Sequence, residues 1–457
     1  MRIQLKHPLY KKFEEIWETC RNCVSGELAV KEEGTEYLPK PAGMDGAEYH
    51  AYKLRARFYE APERTLEGML GQIFRKRPVL KNLTEPVQLG LQRITRRGGV
   101  TKLARDVVRE VLSVGRVGLL VDLAPQERSG ALAYVARYSA ENILSWESYS
   151  YGGTERLTRL VLRESYWGPD PERPSEEYKK LERLRLLALD EEGRYYQQVH
   201  VKVQTEQGES WVGEAAVYPK VKGEYLGEIP FVFCGPGGGD ADPEQPPLLK
   251  ICLLALSYYR TSADLENALY FVGNPTPCAT GVQAQDAQSL RMGSSAFNAF
   301  GSPEAKVFLL ELKGTSVLEL RENLNAKKEE MATLGLRMLE APKKSSQSAE
   351  NQQMLKEGEK SHLAVVAEAC SEQLSEVLRL WSFMSGFAEP APQISLNRDF
   401  SPGQMPVEDA VKLADLVDRG KYTLGDFAAA LEAGELLPAT ATAQEFLGQL
   451  PQPSQEA

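Results

Sequence analysis

The residues best suited to chemistry are few and far apart. Cys20 and Cys23 form a single C-x-x-C, half of the ligand set that a structural zinc site normally needs. The other cysteines, Cys234, Cys252, Cys278 and Cys370, and the four histidines, His7, His50, His200 and His362, show no dense spacing. The expectation is therefore no metal and no cofactor, with Cys20 and Cys23 as half-buried helix residues. The stretch "GLLVD" at 118–122 looks like the strand-plus-Asp half of a nucleotide hydrolase. However, no G-x-x-x-x-G-K-[ST] accompanies it to cradle phosphates, so an ordinary buried strand is the better reading. "GPGGGD" at 235–240 lacks the basic residue and the hydroxyl of a phosphate loop and opens a proline-rich stretch. No G-x-S-x-G or H-E-x-x-H occurs. Four histidines also leave little room for proton transfer near neutral pH. No catalytic residue is assigned, and the chain is not expected to be an enzyme.

The elements that would position any site divide into two halves. The 457 residues are 42% hydrophobic and 26% charged, enough for two or three ordinary domains with a large core. A net charge of −10 argues against a protein whose main task is gripping nucleic acid, because that task needs lysine and arginine on phosphates. Without clustered cysteines or a secretory signal, the thiols are expected to be free. "YKLRARFYEAPERTLEGMLGQIFRKRP" reads as helical up to Pro78, and "VTKLARDVVREVLSVG" as a helix with Leu103, Val107, Val108, Val111 and Leu112 on one face, stopped by Gly115. A buried strand, "VGLLVDL", follows. Period-two runs such as "ALAYVARYS", "ERLTRLVLRESYW", "LERLRLLALD" and "RYYQQVHVKVQ" then predict an antiparallel meander. The Gly- and Pro-rich segment 235–247 is a linker or surface loop.

Beyond it the chain turns helical, so the fold class is α+β with a mainly helical second half. Residues 248–272 avoid both Gly and Pro and form a rod of about 37 Å at ~1.5 Å per residue, ended by "GNPTPC". Its apolar residues, among them Leu253, Leu256, Tyr259, Leu265 and Leu269, surround most of the circumference, so neighbours must enclose it on several sides. A short helix near 284–299, the strand "KVFLLELKG" and two long helices, 316–340 and 350–385, follow, with the polar break "APKKSSQSAENQQ" between the last two. The most apolar run, "ICLLALSYY", is far below the ~20 residues of a membrane span, so no membrane is expected. The tail carries two helices around Gly420, the second opening on Thr423 with Asp426 three later, like a capping box. Its acidity excludes a DNA-reading helix-turn-helix: only Lys412, Arg419 and Lys421 are basic between 406 and 450. The one basic region, residues 52–110, has 14 Lys/Arg against 6 Asp/Glu. It reads as a solvated helical surface or a contact for an acidic partner.

The order of these pieces resembles the portal proteins of tailed bacteriophages, which are head-to-tail connectors. Local matches are "EYLPKP" at 36–41, "LLVDLAP" at 119–125, "YSAENILSWE" at 138–147, "YYRTSADLENALYFVGNPTPCATGV" at 258–282 and "LNRDFSP" at 396–402. The resemblance implies a homo-oligomeric ring, usually of twelve subunits, at one capsid vertex of the virion, assembled in the host cytoplasm. It also implies a channel for packaging and ejecting double-stranded DNA, and contacts with terminase, a head–tail adaptor, and major capsid and scaffolding proteins. In that scheme residues 1–246 are the wing, and 247–303 the stem helices with a short clip. Residues 304–388 hold a wing strand, the channel-lining helix, the polar turn and a long wing or crown helix; 389–457 are crown helices and a disordered tail. Lys343, Lys344, Ser345, Ser346 and Gln347 would face the DNA, and Leu253, Leu256, Tyr259, Leu265 and Leu269 would form the stem interface. A helical scaffold that never meets DNA, or a nucleic-acid-processing enzyme such as a terminase component, is the alternative.

Overall fold

A computed structural model describes residues 3–123, 132–151, 154–169, 178–205, 208–273, 276–281, 303–310, 315–339, 362–398, 400, 407–433, 436–437 and 446–447. Two compact units result, Met1–Arg398 and Asp399–Ala457.

In the first unit, helices α1 (Pro8–Ser25), α2 (Glu27–Glu32), α3 (Gly46–Arg55) and α4 (Ala61–Ile73) precede strand β1 (Val79–Lys81), α5 (Glu85–Leu91) and α6 (Val100–Val114). The stretch expected to run as a helix to Pro78 is broken between α3 and α4. Two tertiary contacts take the backbone donors there: Arg57 N donates to Ser262 Oγ (2.8 Å) and Phe58 N to Glu27 Oε2 (3.0 Å). Pro62 then sits in the first turn of α4, where its missing N–H costs nothing. By contrast α6 keeps its predicted face and its stop. Gly115 adopts φ 74° as the left-handed cap, and a Cβ there would lie 2.9 Å from Glu244 O, so both backbone angle and space call for glycine.

Strand β2 (Val117–Asp122), buried at every position, lies between β3 (Tyr134–Ser139) and β11 (Phe231–Cys234) in an antiparallel sheet. Gly118 faces Phe231 so closely that a Cβ would meet its ring at 2.1 Å. Strands β4 (Ile143–Tyr151), β5 (Thr154–Pro169), β6 (Tyr178–Leu189), β7 (Tyr195–Thr205) and β8 (Gly208–Gly213) form the predicted meander, in sequence order and antiparallel throughout. A small pair, β9 (Lys220–Val221) and β10 (Glu224–Tyr225), leads into β11.

The rod is α7 (Leu249–Gly273), within a residue of its predicted bounds. Strand β12 (Thr276–Thr280) pairs antiparallel with β13 (Lys306–Leu310). Helices α8 (Thr315–Leu339) and α9 (His362–Met384) follow, then β14 (Gln393–Ser395). α9 buries Val366, Cys370, Val377 and Trp381 and packs on β11, β2 and α6. β14 pairs with β1, so residues 393–395 belong to the first unit and not with the tail helices. The predicted helix near 284–299 and the polar break lie outside the described residues. In the second unit, α10 (Val407–Asp418) and α11 (Leu424–Ala433) flank Gly420 at φ 66°, and Thr423 Oγ1 accepts from Asp426 N at 3.1 Å, the predicted cap.

Candidate functional site: the rod and its clasps

The sequence assigns α7 as the element through which copies meet, and the chain itself covers much of it. Tyr259 is fully buried, Leu256 is 3% exposed and Leu265 8%. These three are enclosed by α1, α3, α4 and α8 of the same chain, so their apolar character is already explained by internal packing. Leu269 is half-buried and Leu253 53% exposed. Apolar surface then continues at the C-terminal end, where Tyr270, Phe271 and Val272 are all exposed.

Polar clasps fix the rod laterally. Tyr52 Oη donates to Asp264 Oδ1 (2.6 Å), and Ser262 Oγ both accepts from Arg57 N and donates to Arg57 O (2.7 Å). Burial, reinforced by the Asp264 carboxylate, pushes the Tyr52 hydroxyl well up, and burial, with Tyr49 and Glu27 adding to it, pushes Tyr259 up to about 12. From α8, Lys327 Nζ donates to Thr261 Oγ1 (2.6 Å) and Ser257 O (3.2 Å), while Lys328 Nζ stands over the rings of Tyr59 and Tyr258. Desolvation, helped by Arg260, lowers the Lys327 pKa against the opposing pull of Asp264. At the far end the Arg55 guanidinium stacks on Tyr270 at 3.8 Å and reaches Asn267 Oδ1. No sequence signal marks these partners, because each pair is brought together by tertiary packing.

The thiols are more buried than expected. Cys20 and Cys23 are fully buried on the face of α1 that meets α7, and Cys252 lies against both. Hydrogen bonding to these two thiols and burial raise the Cys252 pKa well above the ordinary thiol value, so the group is a thiol and not a nucleophilic thiolate. Among the described residues no cluster of three or more His, Cys, Asp or Glu has a geometry for a metal.

The two nucleotide-like stretches are structurally occupied. Asp122 accepts from Leu123 N, Tyr134 Oη, Arg185 Nη1 and Gln197 Nε2 at 2.9–3.3 Å, which uses its acceptor capacity inside the fold. In "GPGGGD", Gly235 N donates to Gly238 O (2.8 Å) and Gly237 N to Glu244 Oε1 (3.2 Å). A carboxylate of the chain thus takes a donor that a phosphate would need. That linker is held by Arg116, 2% exposed, whose Nη2 donates to Ala241 O (2.6 Å) while its guanidinium lies between Trp146 (3.9 Å) and Phe233 (4.7 Å). Desolvation lowers the Arg116 pKa to about 9. Sequence reading missed this residue, which carries no motif.

Lys343, Lys344, Ser345, Ser346 and Gln347 lie outside the described residues, as does the predicted helix near 284–299. No described helix is long and apolar enough to cross a membrane.

A family model described as a domain of unknown function, DUF4055, matches residues 247–384, from the start of α7 to the end of α9. No curated protein matches the chain. Among solved structures, the chain is similar to one from the neck of a native GTA particle computed with C12 symmetry. That match has 12% identity and a TM-score of 0.38, covering 81% of this chain and 89% of the other. A chain from the neck of an empty GTA particle computed with C6 symmetry is similar at 11% identity and a TM-score of 0.39, covering 90% and 99%.

Proposed function

We propose that the chain is the subunit of a portal-type connector, a ring through which double-stranded DNA enters and leaves a phage-like particle, with no catalytic activity of its own. The observation that carries the proposal is the rod. A 25-residue helix is clasped by its own chain over Leu256 to Leu265 and then presents Tyr270, Phe271 and Val272 to solvent. Exposed aromatic and aliphatic side chains at the end of a braced helix suit a contact with another copy. A head-to-tail contact of that kind closes only as a ring. The order of segments along the chain, from "EYLPKP" to "LNRDFSP", supports the same reading.

In this proposal the polar turn with Lys343, Lys344, Ser345, Ser346 and Gln347 faces the DNA, Leu253 and Leu269 join the exposed rod end at the interface, and terminase and the head–tail adaptor dock on opposite parts of the ring. Light scattering of the purified protein tests it. A mass that is a large whole-number multiple of the 50.8 kDa chain is expected. A stable monomer across the accessible concentration range would rule the ring out.

A further inference from the structure

Away from the rod, the first unit carries two surfaces of opposite charge, each with charged groups that have no ion-pair partner among the described residues. One is a groove of about 500 Å³ between α9, β11, the end of β4 and the 239–241 loop. Glu228, Asp240, Glu372 and Glu376 line it. Arg156 also lines it, and Arg379 pairs with Glu376 (2.6 Å) and Glu228 (3.4 Å), which leaves the groove acidic by two charges. Asp240 and Glu372 form no ion pair among the described residues. The same wall holds Gln373, 6% exposed, whose Oε1 is buried without a hydrogen-bond partner. Its stem lies along Gly239, where a Cβ would come within 3.4 Å of Cγ. A buried acceptor left open beside excess carboxylates calls for a donor that is also a cation.

The second surface is the tight turn between α5 and α6. Thr95 N and Thr95 Oγ1 both donate to Gly98 O (3.2 and 2.8 Å), Arg97 N donates to Thr95 Oγ1 (3.3 Å), and Arg93 N is held by Gly90 O (2.9 Å). Arg96 is anchored over the Tyr134 ring at 4.9 Å. Arg93 and Arg97 are exposed, and neither has a carboxylate partner among the described residues. A hydrogen-bonded turn presents these guanidinium groups with little entropy left to lose.

We propose that the Arg93–Arg97 turn of one copy docks in the acidic groove of the next, a guanidinium meeting Asp240, Glu372 and the open acceptor of Gln373. Duplex DNA would satisfy the arginines alone; a second copy satisfies both surfaces, and that decides between them. The contact is heterologous, turn to groove, so it repeats from copy to copy and makes a ring where the rotation closes. It rests on the ring reading above and adds an interface made by residues outside the rod.

Charge reversal tests it by sedimentation at low salt. Arg93→Glu/Arg97→Glu makes both surfaces acidic, and Asp240→Lys/Glu372→Lys makes both basic. Each variant alone should need at least ~10-fold more protein for half-assembly, since like charges then face each other across the contact. Because all four residues are exposed, circular dichroism and melting should match the parent. An equimolar mixture should assemble again, because each turn then meets a groove of opposite sign. Single variants that assemble like the parent would overturn the proposal, and so would a folded mixture that fails to recover. Loss of duplex-DNA binding by the arginine variant with assembly intact would reassign the turn to phosphate. A parent protein that never assembles would instead remove the ring reading itself, and this interface with it.

Discussion

The two ends of α7 have similar composition and opposite surroundings. From Ile251 to Leu265 the buried residues alternate around the helix and find α1, α3, α4 and α8 on different sides. From Leu269 to Val272 residues equally apolar stand in solvent or half in it. All-round hydrophobicity shows that a helix is enclosed without showing by whom. A residue such as Tyr259 can be core in one protomer and carry no interface at all.

The largest effect should come from the enclosed end. Tyr259→Asp or Leu256→Asp places a charge where no water reaches, at a cost on the order of 4 kcal/mol or more. Both variants should fail to assemble because the protomer unfolds, seen as a lost or strongly lowered thermal transition. A variant with parental melting and parental secondary structure would show that the enclosure is not as tight as its burial indicates.

Phe271→Asp inverts the comparison. With the side chain 46% exposed, the protomer should change in stability by no more than about 0.5 kcal/mol, while the assembled fraction falls sharply at fixed concentration. If assembly persists unchanged, the exposed end is not an interface.

The rod could be placed from the sequence because twenty-five residues without a breaker set its length, and Gly115 marked the end of α6 by a backbone angle that few other residues tolerate. The meander was readable from its period-two runs and short turns. What stayed hidden depends on partners distant in sequence. The α3–α4 break is made by Ser262 and Glu27, β12 needs β13, β1 needs β14 some three hundred residues on, and Lys327 becomes a clasp only once α8 lies against α7. For the same reason the candidate interface was half legible: apolar character was visible, and the face each residue met was not.

A smaller effect probes one clasp. Lys327→Met keeps most of the stem but removes the donors to Thr261 Oγ1 and Ser257 O, for a loss of about 1 kcal/mol in urea unfolding. A neutral result would mean that water replaces the amine at no cost.

The smallest concerns His7, the N-cap of α1. Its Nδ1 accepts from Leu9 N at 3.3 Å and its ring stacks on Trp146 at 4.1 Å. Burial lowers its pKa; Asp242 and Glu147 pull it up and Arg116 pushes it down. The folded value lies below the unfolded 6.5, so the unfolded chain binds more protons between the two. Stability from this group is therefore complete above pH 6.5 and declines as pH falls below it. His7→Asn, which keeps a capping acceptor, should flatten that part of the profile. An unchanged slope between the two would assign the acid sensitivity to another group.

The central claim, that this chain builds a ring, is tested most directly by negative-stain imaging of the purified protein. The account predicts rings of one subunit number with a stain-filled central hole. Discrete single-chain particles, or assemblies without a hole, would contradict it.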